Sequence, residues 1–344
     1  MIMLYVVLFF TFFSLFLYVL LGGADFGAGI VELFSSRGNR KLTRDTIYRV
    51  MGPIWEANHI WLIILIVILW IAFPSYFNII IIYLHVPLTL VLLGITIRGV
   101  AFIFRHYDAV VDRSQVWYNR LFRIGSFITP VFLGMSFGTL VSGKIILTTD
   151  YSQIGFADIF LFPWLNVFTL LTGLFYAALC AFLASTLLIG ETTGEVRKIY
   201  SRKSAIFTIT LVLIGGAVLA YGYFTNMVFV KDFLQNTLSL AAIALSAILL
   251  LPLWQSIKKQ YSMRTRILAG IQVLLVIFAA VNTHFPNLII TSTSELDLLA
   301  GAAPDSVIRV LGISLIIGGA VILPGLFHLM KSFNMIYPKK DLHQ

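Results

Sequence analysis

Residues 53–61 read Pro53-Ile54-Trp55-Glu56-Ala57-Asn58-His59-Ile60-Trp61, and from there the chain is almost wholly apolar through Phe73. An acid, an amide, an imidazole and two indoles thus open a helix otherwise fit only for lipid. Pro53 suits the first position of that helix, where its missing N–H leaves nothing unsatisfied. At helical spacing Glu56 and His59 share one face, and Trp55 and Asn58 another. An ionisable residue inside a membrane segment is costly to keep, so the stretch marks a candidate functional site.

Working outward, the whole chain has the character of a membrane protein. Its 344 residues are 59% hydrophobic and only 11% charged, with a mean hydropathy of +0.95. A soluble domain carries roughly a quarter charged residues, so the expected fold is an all-α polytopic membrane protein. Apolar runs predict nine spans, at about 4–21, 54–73, 77–97, 121–140, 160–189, 205–223, 238–253, 267–285 and 307–330. The first has no basic leading region and no small-residue cleavage site, so it is expected to remain as a span. The single cysteine, Cys180, sits within an apolar run and offers neither a disulfide framework nor a thiolate metal site.

Charge sets the expected orientation. The net charge of +9 does not point to nucleic acid, because the basic residues are spread over short loops. Alternate loops hold Arg37, Arg40, Lys41, Arg44 and Arg49; Arg98, Arg105, Arg113, Arg120 and Arg123; Arg197, Lys198, Arg202 and Lys203; and Lys258, Lys259, Arg264 and Arg266. The tail adds Lys331, Lys339 and Lys340, leaving only Lys144, Lys231 and Arg309 of the 24 basic residues elsewhere. The excess of Lys and Arg on the inner side predicts an outside N-terminus and a cytoplasmic C-terminus. Spans 1 and 5 end alike, in Gly22-Gly23-Ala24-Asp25 and Gly190-Glu191-Thr192-Thr193. Within a single membrane domain covering 1–344, this hints at a parallel repeat of two four-helix bundles, 1–142 and 160–285, with 307–330 as an extra peripheral helix.

In this topology Asp25 ends span 1, Glu56 begins span 2 and Arg98 ends span 3, all beneath the cytoplasmic surface. Two acids with an arginine at neighbouring helix ends suit proton uptake, and they equally suit a structural ion pair tying three helices together. Gly22, Gly23 and Gly27 permit close helix approach or irregular backbone around Asp25. No phosphate-cradling strand–loop–helix pattern surrounds them. The histidines show no metal-ligand spacing, and only His85 and His284 sit at loosely matching depth, so neither a metal nor a haem-ligand pair is expected on this chain.

Three motifs together carry a family resemblance: Gly22-Gly23-Ala24-Asp25-Phe26-Gly27-Ala28-Gly29, Trp55-Glu56-Ala57-Asn58-His59-Ile60-Trp61 and Arg98-Gly99-Val100-Ala101-Phe102-Ile103-Phe104-Arg105. In this order they resemble subunit II of the cytochrome bd-type quinol oxidases. That resemblance implies a respiratory complex of the bacterial cytoplasmic membrane that oxidises quinol and reduces dioxygen to water. Haems b558, b595 and d would belong to a partner, subunit I, and small single-helix accessory subunits can join the complex. Some members hold a structural quinone against subunit II. The resemblance assigns the proton route to Asp25 and Glu56, with His59 and Arg98 beside them, and places Trp55, Asn58 and Trp61 near the oxygen entry and subunit interface. Glu56 stands where the family pattern has aspartate, and Ile103 where an acid often occurs. A stand-alone proton-coupled transporter, with Asn166 and Asn282 in a substrate site, and a purely structural subunit are the competing readings.

Overall fold

The first span shows how sequence and structure part company. The computed structural model describes residues 2–52, 55, 57–107, 113–148, 150 and 152–332. Helix α1 (Ile2–Leu17) passes through a π turn at Tyr18–Gly22 directly into α2 (Gly23–Leu33), making one helical stretch of 32 residues. The predicted end at residue 21 is therefore wrong: the Gly22-Gly23 pair does not break the helix. A π turn holds an extra residue and so re-aims every side chain after it. Asp25 consequently lies within a helix, where ten consecutive residues, Gly23–Glu32, are buried.

Close approach explains that burial. A Cβ at Gly27 would stand 1.8 Å from the Cys180 carbonyl oxygen, and one at Gly29 would stand 2.1 Å from Ser126 Oγ. These are backbone-to-helix contacts that only glycine allows. They seat α2 between α7 (Gln115–Leu140) and α9 (Val167–Gly190). The α9 segment Ala177–Ser185 is buried throughout and offers small residues at most positions, matching the approach from its own side.

The next segment departs from its predicted boundaries. Arg40–Met51 forms α3, with Thr43, Thr46, Ile47, Val50 and Met51 buried at helical spacing. It is an amphipathic surface helix where a loop was expected. Trp55 lies in a turn, Ala57–His59 forms a 3₁₀ turn, and α4 begins only at Ile60 and ends at Ala72. Pro74 then opens α5 (Pro74–Tyr83), and the chain bends by 117° between α4 and α5. A residue before proline is driven out of the α region, as Phe73 is at φ −133°, ψ 59°.

Predicted span 3 straddles a break at Leu84. The spanning helix is α6 (His85–Tyr107), shifted along the chain so that Arg98 lies in its interior. Beyond α7 come the short α8 (Phe156–Phe160), α9, α10 (Gly194–Phe224), α11 (Val228–Gln235), α12 (Thr237–Lys258), α13 (Ser262–His284), the hairpin β1 (Ile289–Ile290)–β2 (Glu295–Leu296), and α14 (Asp305–Ser332). Among the described residues, eight helices are long and apolar enough to cross a membrane, or nine if the bent α4–α5 pair is one span. The chain is thus an all-helical multi-pass membrane protein. Several helices outrun their apolar stretches because their basic ends continue the helix past the lipid.

Packing divides along the first span. Its α1 half lies against α4 and α14, whereas its α2 half lies against α7 and α9; α6 packs on α7, α10 and α13 pack on α9, and α12 packs on α13. Gly27→Val should cost about 1–3 kcal/mol through overpacking against Cys180, read as a lower thermal unfolding temperature of the purified protein. Gly216→Ala, whose Cβ would meet open space, should leave that temperature unchanged or slightly raised. Equal losses at both positions would refute the packing argument.

Candidate functional site

A carboxylate cannot stay charged inside an apolar bundle without partners. Asp25 is 1% exposed and finds them on α6: Arg98 Nη1 lies 2.7 Å from Asp25 Oδ2. Arg98 is itself only 2% exposed. Its Nη2 donates to the Asp25 carbonyl oxygen at 3.0 Å and its Nε donates to Ser126 Oγ on α7 at 2.9 Å. The rings of Phe26 and Phe122 lie 5.3 and 5.1 Å from the guanidinium carbon. Arg98 thus binds three helices at one point.

A second rung repeats the arrangement seven residues further along both helices. Glu32, 1% exposed, pairs with Arg105 Nη1 at 3.0 Å, and Arg123 Nε of α7 lies 3.9 Å from its other oxygen. Seven residues are two helical turns, about 10 Å of rise, so α2 and α6 run in the same direction with their charges in register. Phe122 sits between the rungs, 5.1 Å from the Arg98 guanidinium and 4.1 Å from that of Arg105. Glu32 also lines a cavity of about 320 Å³ with Arg40, Lys41, Arg44, Val116, Asn119 and Arg123. The sequence reading passed over Glu32, although Asp25/Glu32 and Arg98/Arg105 share the spacing that would have paired them.

His59 completes the upper rung. Its Nε2 lies 3.5 Å from Asp25 Oδ2, and its ring meets those of Phe26 and Tyr18 at centroid distances of 5.5 and 6.2 Å. Neither ring nitrogen of His59 and neither carboxylate oxygen of Asp25 makes a hydrogen bond among the described residues, so Oδ2 is held by charge. Asn58 and Trp61 are buried, with Trp61 set edge-on against Phe13, while Trp55 packs on Phe102. Glu56 lies outside the described residues. The structure therefore gathers Asp25, His59 and Arg98 at one place. Of the glycines, Gly27 abuts Cys180, Gly23 faces Leu183, and Gly22 lies under the ring of its own Tyr18.

His85, His284 and His59 each face a partner within the chain. His85 Nδ1 lies 2.8 Å from the Ile82 carbonyl oxygen, with its ring against Phe160, and His284 sits beside Asp232. His59 faces Asp25, and two cavities of about 410 and 320 Å³ have no histidine in their lining. The transporter residues also have structural duties. Asn166 caps α9 in a reciprocal bond with Thr169, and Asn282 donates to Asn236 and Ser239.

A multi-pass helical protein with a buried two-rung charge ladder is the class these features define. The family model for cytochrome bd terminal oxidase subunit II matches residues 3–333, and the chain belongs to that family. It is 31% identical over 201 residues to cytochrome bd ubiquinol oxidase subunit 2 of Bacillus subtilis, covering 58% of this chain and 56% of that protein. It is 27% identical over 203 residues to cytochrome bd-I ubiquinol oxidase subunit 2 of Escherichia coli, covering 58% and 52%. These alignments span little more than half the length of the relatives. The solved bd oxidase of Geobacillus thermodenitrificans shares the fold, with a TM-score of 0.73 and 16% identity over 98% of this chain and 100% of the matched one.

Removing one partner of a buried pair costs far more than removing both, because the survivor is an uncompensated charge. Arg98→Met should therefore lose about 3–5 kcal/mol of stability, and Asp25→Leu combined with Arg98→Met should recover much of it. Thermal denaturation of the wild type, Asp25→Leu, Arg98→Met and the double variant decides the matter: losses that simply add would mean the pair is not coupled.

Proposed function

We propose that this chain is the non-haem-ligating subunit of a bd-type quinol:oxygen oxidoreductase of the bacterial cytoplasmic membrane. In this reading it packs on a haem-bearing subunit I, and its N-terminus is outside and its C-terminus cytoplasmic. Asp25, Glu56, His59 and Arg98 line a proton-uptake route. Family membership supports the oxidase setting. The observation that carries the proton route is Asp25 itself: buried, charge-paired with Arg98 through Oδ2, and with neither carboxylate oxygen in a hydrogen bond among the described residues.

That arrangement can move protons without moving the backbone. Arg98 balances the negative charge, so Asp25 can exist ionised in an apolar bundle while Oδ1 remains open to a proton from water. His59 turns Nε2 toward Asp25 at 3.5 Å, and neither of its ring nitrogens makes a hydrogen bond among the described residues. An imidazole so placed takes a proton at one nitrogen and releases one from the other. Glu32 and its cavity lie two turns nearer the end of α2, on the face the basic loops assign to the cytoplasm, and provide the entry. Trp61 and Phe13 form the apolar flank, along which dioxygen would partition. Haems on subunit I would supply the redox chemistry of dioxygen reduction; this chain supplies protons and a seat for its partner.

In the purified complex, Asp25→Asn and Glu56→Gln should each leave the haem absorption spectrum intact and lower quinol-driven oxygen consumption by at least about tenfold, the scale of a lost proton-transfer group. Full activity with an intact spectrum would make the ion pair purely structural. Absence of any haem-bearing partner in the wild-type preparation would overturn the oxidase reading.

A further inference from the structure

Away from the charge ladder, three potential metal ligands converge from separate elements: Asp232 on α11, His284 at the end of α13, and Glu295 on β2. One donor atom from each lies within 4.8 Å of the others. His284 is 8% exposed, and its ring stacks on Phe229 at 5.6 Å between centroids and 21° between planes. The imidazole is thus held in a fixed orientation. Its Nε2 lies 2.9 Å from Asp232 Oδ2, yet it has no hydrogen-bond partner among the described residues. The oxygen is near enough for a hydrogen bond but lies off the direction in which the ring nitrogen donates.

This misalignment disfavours a hydrogen bond and suits a shared metal ion. An ion bound to a histidine nitrogen lies on the axis of the nitrogen lone pair, and a second ligand then sits well to one side. With zinc–nitrogen and zinc–oxygen bonds of about 2.0–2.1 Å at the tetrahedral angle, the two donors stand about 3.3 Å apart, so loading needs the present 2.9 Å separation to open by only a few tenths of an ångström. Glu295 offers the third ligand from a half-exposed position: its Oε2 lies 4.0 Å from His284 Nδ1, accepts from Asn287 Nδ2 at 3.2 Å, and must swing toward the Nε2 edge to join Asp232. Such a bond orients the carboxylate in the manner of a supporting outer ligand. Its long side chain has the freedom to close the remaining gap.

We propose that Asp232, His284 and Glu295 form a binding site for a divalent transition-metal ion, best matched by zinc, with water in the fourth position. One imidazole and two carboxylates are a donor set that zinc accepts in tetrahedral geometry, whereas a thiolate-preferring ion finds no sulfur here. Occupancy pins the β1–β2 hairpin to the ends of α11 and α13. The same hairpin accepts a hydrogen bond from Tyr76 of α5 through the Leu296 carbonyl oxygen. The ion therefore fixes the segment that links α13 to α14 at the end of α13 remote from Arg266. The site is independent of the proton-route reading.

The test uses the purified complex, stripped with a chelator, loaded with zinc chloride, desalted and assayed for bound zinc by mass spectrometry, with affinity measured by calorimetry. The wild type should retain a single equivalent more than His284→Ala. Asp232→Asn and Glu295→Gln, which nearly preserve shape, should each bind that equivalent at least about tenfold more weakly. Zinc should also raise the thermal unfolding temperature of the wild type and not of the variants. Equal zinc uptake by the wild type and the two carboxamide variants would overturn the proposal, as would zinc bound without any stabilisation specific to the wild type.

Discussion

The fold depends on the need to neutralise charge within an apolar bundle. Asp25 and Glu32 are each 1% exposed. An unpaired ion at that depth costs several kcal/mol, more than any single helix contact nearby returns. Arg98 and Arg105 therefore set the relation between α2 and α6, and Ser126, Phe122 and Arg123 bring α7 into the same arrangement. The glycines of α2 answer the same constraint from the opposite side. By letting α2 press against Cys180 and Ser126, Gly27 and Gly29 exclude the space that a loosely packed charge pair would leave. Charge fixes which helices meet, and the missing side chains fix how closely.

A buried ion pair is weak evidence for stability, since an apolar pair of similar volume often serves as well. Under the proposed proton route, its presence at two successive rungs, with a basic cavity beside the lower one, holds ionisable groups within reach of protons. The same geometry explains why His59 belongs to the site although it lies on a different segment. The 3₁₀ turn before α4 brings its ring against Phe26 and Tyr18, and from there Nε2 reaches Asp25.

The membrane class was legible from the apolar composition, and the pairing of Asp25 with Arg98 and the presence of His59 were legible because each rests on a residue type that lipid does not tolerate alone. Helix limits were less legible. Hydropathy falls at Gly22, but the helix runs on to Leu33, since protein rather than lipid surrounds its second half. Glu32 was lost with that error, having been placed in a loop where an acid needs no explanation. Hydropathy also placed Arg98 at the end of a span that breaks at Leu84, a break set by local backbone. The grouping of Asp232, His284 and Glu295 had no sequence signal at all. Its members come from a short helix, a helix end and a hairpin, and only tertiary folding brings them together.

The π turn at Tyr18–Gly22 leaves the first membrane span with two phases. Upstream, α1 shows one stripe to α4 and α14; downstream, the stripe that meets α7 and α9 starts from a different angular origin. A uniform helix would have to satisfy both neighbourhoods with a single continuous stripe, so that any change in one would constrain the other. The inserted residue acts instead as a phase shifter, uncoupling the rotation of the peripheral half from that of the charge-bearing half. The N-terminal part of this span is thereby free to vary in sequence and tilt while the carboxylates of its C-terminal part stay aimed at α6.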